Sequence, residues 1–103
     1  MKQQLKKGVI EIFVLAILAK EDSYGYKIIS DLAPFLELSE STLYPILRRL
    51  EKQLELDTYN QLYQGRNRKY YKITAKGKKH IYEFLDEWKD VKKIYDILTG
   101  VKL

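Results

Sequence analysis

The chain has 103 residues, 46% of them hydrophobic and 32% charged, which is typical of one small folded soluble domain. Its 19 Lys and Arg outweigh 14 Asp and Glu, and the net charge of +5 favours nucleic acid or an acidic surface as the partner. The absence of Cys excludes disulfide scaffolds, thiol catalysis and Cys-ligated zinc, and a single His argues against a His-rich metal site or a Ser-His-Asp triad.

The first predicted element is a helix from about Leu5 to Lys20. Apolar residues cover nearly its whole cylinder, which is typical of a central buried helix. The most apolar run, Val9–Ala19, is interrupted by Glu11 and is shorter than the ~20 residues that a bilayer span requires. It also lacks the small-residue cleavage signal of a secretory leader. We therefore expect a cytoplasmic protein without a membrane partner.

A second and a third helix follow. The second is predicted from Tyr24 to about Phe35, with Pro34 near its end. The third starts after Ser39, and its apolar stripe has helical spacing: Leu43, Ile46, Leu47, Leu50 and Leu54. The opposite face is polar and carries Ser41, Thr42, Tyr44, Arg48 and Arg49.

A β-hairpin comes next. Leu56–Gln64 and Arg68–Ile73 are rich in residues that favour strands, and Gly65-Arg66-Asn67 between them is predicted to be the hairpin tip. No Asp or Glu occurs from Thr58 through Tyr82, although that stretch contains seven cations: Arg66, Arg68, Lys69, Lys72, Lys76, Lys78 and Lys79. A solvated face usually mixes charges of both signs, so this stretch favours contact with DNA.

The last predicted helix starts after a Thr74 cap, runs to about Leu98 and stops at Gly100. Six apolar residues alternate at spacings of three and four, as in a heptad seam: Ile81, Phe84, Trp88, Val91, Tyr95 and Leu98. We expect this seam to join two copies of the chain.

The order of elements predicts a mainly α fold with a small antiparallel β-hairpin. It is that of a winged helix-turn-helix (residues 1–74) followed by a C-terminal dimerisation helix (residues 75–103). The polar face of the third helix fits the major groove, and a basic hairpin tip suits the DNA backbone.

Three sequence blocks carry a family resemblance: Tyr24-Gly25-Tyr26, the run Ser41–Glu51 (STLYPILRRLE) and the run Gly65–Gly77 (GRNRKYYKITAKG). In this order and spacing they resemble the PadR family of bacterial transcriptional regulators, in its compact subfamily. The resemblance implies a homodimeric repressor that binds a palindromic operator and is released by a small aromatic or drug-like molecule.

The chain departs from the family pattern after Leu50-Glu51. The family usually turns there through a Gly, whereas this chain has Leu54-Glu55-Leu56-Asp57. Without a Gly to adopt a left-handed conformation, we expect the third helix to end later or more loosely.

The predicted DNA-binding residues lie on the third helix, the hairpin and the N-terminus: Ser41, Thr42, Tyr44, Arg48, Arg66, Asn67, Arg68, Lys69, Lys6 and Lys7. Ser41 and Thr42 serve equally well as helix caps. Tyr24 and Tyr26 are expected to cover the first helix or to brace the core, and His80 is expected to be solvated.

Trp88 has two interpretations. It either anchors the dimer core or, paired with its copy, forms a flat wall for a planar effector. A second function also stays open, because winged helices are reused as protein-interaction modules, such as anti-repressors or adaptors. An enzyme is disfavoured. The sequence has no paired carboxylates in a plausible cleft, no phosphate-binding Gly loop and no metal-spaced ligands, so no cofactor is expected.

Overall fold

The computed structural model describes the backbone of residues 3–103 and the side chains of residues 6–103. This part of the chain forms helices around one two-stranded sheet, which confirms the predicted fold class. The elements are α1 (Gln3–Lys20), α2 (Gly25–Leu32), α3 (Glu40–Lys52), β1 (Leu56–Tyr63), β2 (Arg66–Ile73) and α4 (Ala75–Thr99).

The core lies between α1, α2, α3 and the base of the hairpin. The predicted stripe of α3 is buried at four positions, Leu43, Ile46, Leu47 and Leu50. One side of α1 is fully buried through Ile10, Val14, Leu15 and Leu18. The other apolar residues of α1, such as Phe13, are only partly covered, so α1 is less enclosed than the sequence predicts.

Helix α2 ends at Leu32, one turn before the predicted end near Phe35. The amides of Phe35 and Leu36 both donate to the carbonyl oxygen of Leu32, at 2.9 and 2.8 Å. Because Pro34 has no N–H, it cannot extend the ladder, and the chain turns there instead. The exposed Phe35 ring stacks on Phe13 at 5.4 Å.

The end of α3 contradicts the sequence prediction. The helix stops at Lys52, and Leu54 adopts a left-handed φ of +64° with its side chain 67% exposed, so it is not part of the apolar stripe. The Leu54 amide donates to Glu51 at 3.0 Å and the Glu55 amide to Leu50 at 2.9 Å, which is the Schellman pattern. A leucine therefore occupies the conformation that usually requires Gly, and the helix ends tightly rather than loosely.

Contacts from the start of α4 hold this strained turn. The Thr74 hydroxyl donates to the Leu54 carbonyl oxygen at 2.7 Å, and Lys76 Nζ donates to the Gln53 carbonyl oxygen at 2.7 Å. Thr74 also caps α4, as predicted, by accepting from the Gly77 amide at 3.2 Å. The side chains of Thr74 and Lys76 thus hold together the junction between α3, β1 and α4.

The hairpin pairs β1 with β2 in antiparallel register from Leu56↔Ile73 to Tyr63↔Arg66. Gln64 and Gly65, with φ of +50° and +79°, form the two-residue connection. Two consecutive positive φ values match the tight hairpin turn that follows strand twist. Arg66 and Asn67 therefore belong to β2, not to the tip as the sequence suggested.

The hairpin base is fastened to the loop before α2. Ser23 and Tyr71 exchange backbone hydrogen bonds of 3.2 and 2.7 Å, which forms a short third bridge beside β2. Tyr71 is buried and Tyr70 only partly so, as alternation along a strand predicts. This bridge sets the position of the hairpin relative to the helices.

His80 and Glu55 form a contact that sequence reasoning missed. Glu55 is 5% exposed, and its Oε1 meets the Nδ1 of His80 from the second turn of α4. The prediction of a solvated His80 is therefore wrong. A buried carboxylate needs such a partner.

Candidate nucleic-acid interface

The first turn of α3 presents two exposed hydroxyls. Ser39 is the N-cap and accepts from the Thr42 amide at 3.3 Å. Its Oγ also lies 2.8 Å from Ser41 Oγ and 3.1 Å from Thr42 Oγ1. Ser41 and Thr42 are thus not the cap itself, and a neighbouring hydroxyl orders both of them at the surface.

Lys6 and Lys7 lie beside this turn. Together with Ser41, Thr42 and Pro45 they line one shallow depression between the start of α1 and the start of α3. The structure therefore brings together two pairs of predicted DNA-binding residues, and the pairs are more than thirty positions apart in the sequence. Two ammonium groups and two hydroxyls are groups that contact phosphate oxygens in DNA complexes.

A second pocket opens between the start of α2, the middle of α3 and the hairpin. Its lining contains Tyr44, Arg68 and Lys69 from the predicted set, with Tyr24, Gly25, Tyr26 and Tyr71 around them. We refer to these seven residues as the tyrosine pocket. Tyr26 is 71% exposed at its rim, so the prediction that it braces the core is wrong.

Gly25 sets the position of Tyr44. A Cβ added at Gly25 would lie 2.5 Å from the Tyr44 hydroxyl oxygen and 2.9 Å from its Cζ. Real Cβ contacts are longer than this, so any other residue at position 25 would displace the ring. The Gly of the Tyr-Gly-Tyr block is therefore needed for close approach rather than for backbone conformation.

Lys69 is shared between the pocket and α3. Its Nζ lies 3.5 Å from Glu51 Oε1 and 5.4 Å from the ring centre of Tyr71. Glu51 also accepts a 3.1 Å hydrogen bond from the Thr58 hydroxyl. Glu51, which the sequence did not single out for this role, thereby ties both strands of the hairpin to α3.

The Tyr71 phenol faces this charged group. Burial raises its pKa above the ordinary value of 10.0, Tyr44 and Glu51 act in the same direction, and Arg48 opposes them. The phenol therefore stays neutral at physiological pH, and the pocket is cationic through Arg68 and Lys69.

Arg68 is held by aromatic rings. Its guanidinium carbon lies 4.3 Å from the ring centre of Tyr24 and 4.6 Å from that of Tyr63. Tyr24 packs edge-on against Tyr70 at 5.4 Å, and Tyr70 stacks on Tyr59 at 5.5 Å. We call the four tyrosines 24, 59, 63 and 70 the ring chain.

The ring chain ends on a carboxylate. The Tyr59 hydroxyl donates to Asp22 Oδ2 at 2.7 Å, and this bond raises the pKa of Tyr59 to about 12. Alternation of Tyr59, Gln61 and Tyr63 along β1 was visible in the sequence, but nothing there indicated that Tyr24 packs against them.

Three predicted residues are exposed outside the two depressions. Arg48 lies one turn beyond Tyr44 on α3, and Arg66 and Asn67 lie at the far end of the hairpin, opposite Tyr63 and Leu62. Within residues 6–103, no carboxylate pairs with Arg48 or Arg66. The neighbouring Arg49, by contrast, pairs with Glu11 and joins α3 to α1.

The acid-free stretch does not form one surface. Lys76 is used to cap the end of α3, and Lys79 pairs with Glu83 at 3.8 Å on α4. The cations that line the tyrosine pocket are those of the hairpin, Arg68 and Lys69. The charge distribution along the sequence therefore overstates how many of these side chains share a face.

The predicted seam of α4 divides into two parts. Ile81, Phe84 and Trp88 are half-buried, and the last two stack at 5.3 Å beside Val9 and Ile12 of α1. The remaining seam residues are open, with exposures of 44% for Val91, 65% for Tyr95 and 63% for Leu98. Sequence reasoning missed a further set of exposed apolar residues on α4 and just beyond it: Tyr82, Leu85, Ile94, Ile97 and Val101.

In residues 3–103, no helix has the length and apolarity that crossing a membrane requires. The same residues contain no group of three or more His, Asp or Glu side chains arranged to hold a metal ion.

Comparison with known proteins shows which proteins this chain is similar to. Residues 14–83 match the family described as Transcriptional regulator PadR-like. A curated protein of Lysinibacillus sphaericus, itself uncharacterised, is 32% identical in an alignment of 101 positions that covers 93% of each chain.

Solved structures agree over nearly the whole chain. A protein from Streptococcus mutans is 44% identical, with a TM-score of 0.83 over 94% of this chain and 93% of that one. A PadR-like transcriptional regulator from Bacillus cereus is 33% identical, with a TM-score of 0.85 over 97% and 100%. A PadR family transcription regulator from Clostridium difficile is 34% identical, with a TM-score of 0.80 over 88% and 98%.

Proposed function

Because the chain belongs to the PadR-like family of transcriptional regulators, we propose that it binds a palindromic operator as a homodimer through α3 and the hairpin, and acts as a repressor. One observation carries this proposal. Lys6, Lys7, Ser41 and Thr42 share one depression, and Tyr44, Arg68 and Lys69 share another, with α3 contributing to both. Hydroxyls and cations thus surround the half of α3 that would enter the major groove.

Each protomer would place α3 in one major groove, with its hairpin against flanking backbone. The exposed Arg48 is suited to a base edge or a phosphate, and Arg66 and Asn67 are suited to the backbone beyond. Two protomers would read half-sites about one helical turn apart.

The test is selection of binding sites from a random duplex pool by the full-length chain. We expect a two-fold symmetric consensus whose half-site spacing reports the dimer geometry. Affinity for the selected site, measured at several salt concentrations, should fall steeply with salt. Arg68→Ala should reduce the salt slope by about 0.9, because the variant neutralises one phosphate fewer. Recovery of no consensus, with an affinity that salt does not change, would reject DNA binding.

The open part of the α4 seam supports the homodimer. Val91, Tyr95 and Leu98 continue the spacing of Phe84 and Trp88 but are left exposed by the part of the chain that the structure describes. Exposed apolar residues at heptad positions are typical of a helix that packs on a partner helix. Sedimentation velocity at micromolar concentration should give twice the protomer mass, and a monomer would contradict the proposal.

The position of Trp88 supports the proposal that an aromatic or drug-like effector releases the protein from its operator. It is the only Trp of the chain, it lies on the seam and it stacks on Phe84. In a two-fold dimer, the two indole rings would form a wall for a planar molecule. A fluorescence titration with planar cations and phenolic acids should quench Trp88 and release the operator. No change in emission with any of them would leave Trp88 as an anchor of the dimer core.

A protein-interaction module remains the second candidate function, favoured by the exposed apolar face of α4. Under this alternative, gel shifts with random and selected duplexes at two salt concentrations would show no binding.

A further inference from the structure

Arg68 lies in a corner rather than on an open surface. Its guanidinium carbon is 4.3 Å from the Tyr24 ring centre and 4.6 Å from the Tyr63 ring centre, while the two rings are 6.4 Å apart. These three lengths make a nearly right angle at the guanidinium carbon. The rings therefore support the group on two adjacent sides and leave the remaining sides open to the tyrosine pocket.

One wall of this corner, the Tyr24 ring, is itself fixed by the body of the protein. Tyr24 follows Ser23, whose backbone is hydrogen-bonded to Tyr71, and it precedes α2 directly. The Tyr24 ring packs against Tyr70, Tyr70 stacks on Tyr59, and the Tyr59 hydroxyl is hydrogen-bonded to Asp22. The guanidinium thus rests against groups that the body of the protein holds in place.

The N–H groups of Arg68 have no acidic partner. Within residues 6–103 no carboxylate pairs with Arg68, whereas the next residue, Lys69, is paired with Glu51. A ring contact gives a guanidinium N–H no hydrogen-bond acceptor, and within residues 6–103 no acceptor is hydrogen-bonded to the guanidinium of Arg68. Its donors therefore remain available, and the freedom that an arginine loses on binding is already reduced.

We propose that Tyr24 and Tyr63 are positioning residues that hold Arg68 ready to bind one DNA backbone phosphate beside Tyr44 and Lys69. The planar fork of an arginine matches two phosphate oxygens. A phosphate is preferred to a base edge because Arg68 lies on the hairpin and not on α3, the helix proposed to enter the major groove, and because its pocket is lined by phenols, Lys69 and the start of α2. This inference rests on the proposed function, of which it names one contact.

The decisive experiment is a double-mutant cycle on affinity for the selected operator. Tyr63→Leu removes one wall at a site that is 42% exposed, so the fold is expected to remain intact, as thermal unfolding will check. It should weaken binding about tenfold in the wild type, from the upper range of a cation–π contact, and have almost no further effect when Arg68 is already Ala. Tyr63→Phe keeps the ring and should retain wild-type affinity.

A second variant, Lys7→Ala, tests whether Tyr63→Leu weakens DNA binding through Arg68 or through a change in the whole protein. Lys7→Ala removes a cation in the other depression, so its effect should add to that of Tyr63→Leu. Binding to duplexes of unrelated sequence should fall by the same factor as operator binding, because a phosphate carries no sequence information.

The outcomes are separable. If the wild type binds no duplex, the proposed function fails. If the wild type binds but Tyr63→Leu binds equally well, or if its effect adds to that of Arg68→Ala, the positioning role is overturned while DNA binding stands. If the loss is confined to the operator sequence, Arg68 contacts a base and the phosphate assignment is wrong.

Discussion

The body of the molecule, which consists of α1, α2, α3 and the hairpin, differs from the second half of α4 in how its apolar side chains are covered. In the body, apolar side chains such as Val14, Leu15 and Leu47 are fully buried by other elements of the same chain. From Val91 onward, α4 is equally rich in apolar residues, yet each of them is exposed. The body is therefore expected to be stable by itself, whereas the free end of α4 needs another molecule to cover it.

The largest expected effect tests the body. Leu47→Ala removes a fully buried side chain from the centre of α3 and should lower the free energy of unfolding by about 3 kcal/mol. Urea unfolding measures this loss. Because Leu47 contacts its own chain, the loss should be the same across a range of protein concentrations at which the dimer stays assembled. A loss below ~1 kcal/mol would show that the body is less tightly packed than its buried core implies.

Leu98→Glu tests the free end of α4. A carboxylate at this exposed position costs the single chain little, but in a helix–helix seam it is desolvated, and the dimer dissociation constant should rise at least about 100-fold. Sedimentation equilibrium measures this constant. Lys93→Gln is the matched control, since it also changes the charge of α4 by one unit, at an exposed position on the face opposite the seam. Equal dimerisation by Leu98→Glu and the wild type would contradict the comparison.

Gly25→Ala tests a close contact in the body that serves binding. The added methyl should displace the Tyr44 ring and weaken DNA binding about tenfold, the value of one hydrogen bond to a charged group. Gly8→Ala is the matched control, because a Cβ there meets no atom within 4 Å. Fluorescence anisotropy with a labelled operator would measure both variants. Similar affinities for the two would exclude Tyr44 as a contact that Gly25 positions.

Leu54→Gly tests the strained turn that ends α3. Because a left-handed conformation costs an L-residue about 1–2 kcal/mol, glycine should raise the stability by about 1 kcal/mol after its greater freedom in the unfolded chain is subtracted. Thermal unfolding would detect this gain, with Leu54→Ala as the control that removes the side chain and keeps the strain. A gain for Ala equal to that for Gly would assign the effect to the exposed side chain.

The smallest expected effect concerns pH. The hydrogen bond to Asp22 raises the pKa of Tyr59 from 10.0 to about 12, so the phenol keeps its proton longer in the folded chain than in the unfolded one. The stabilisation is therefore complete below pH 10 and is lost as the pH rises to 12. Absorbance of phenolate should show a tyrosine that titrates near pH 12, which Tyr59→Phe removes and Tyr26→Phe leaves in place.

Much of this fold was predictable because local chemistry dictates it. The Thr74 cap, the spacing of Leu43 to Leu50, and the hairpin signal around Gly65 are all short-range, and the structure confirms them. Of the cations in the acid-free stretch, Arg68 and Lys69 line the tyrosine pocket, and contact of that stretch with DNA stays a prediction. Apart from the bounds of α2 and of the hairpin tip, the errors lie where two distant segments meet: Leu54 under Thr74, Glu55 with His80, and Tyr24 beside Arg68.

The sequence by itself determined the elements, their order and the apolar stripes, because periodicity and capping act within a few residues. Only the tertiary structure decided that Lys7 and Thr42 line one depression, that Glu51 pairs with Lys69, and that α4 is covered by α1 through Trp88 but open from Val91. Such pairings depend on how whole elements are stacked. The identity of one residue does not determine which residue of a distant segment will pack against it, so these contacts can be identified only from the three-dimensional structure.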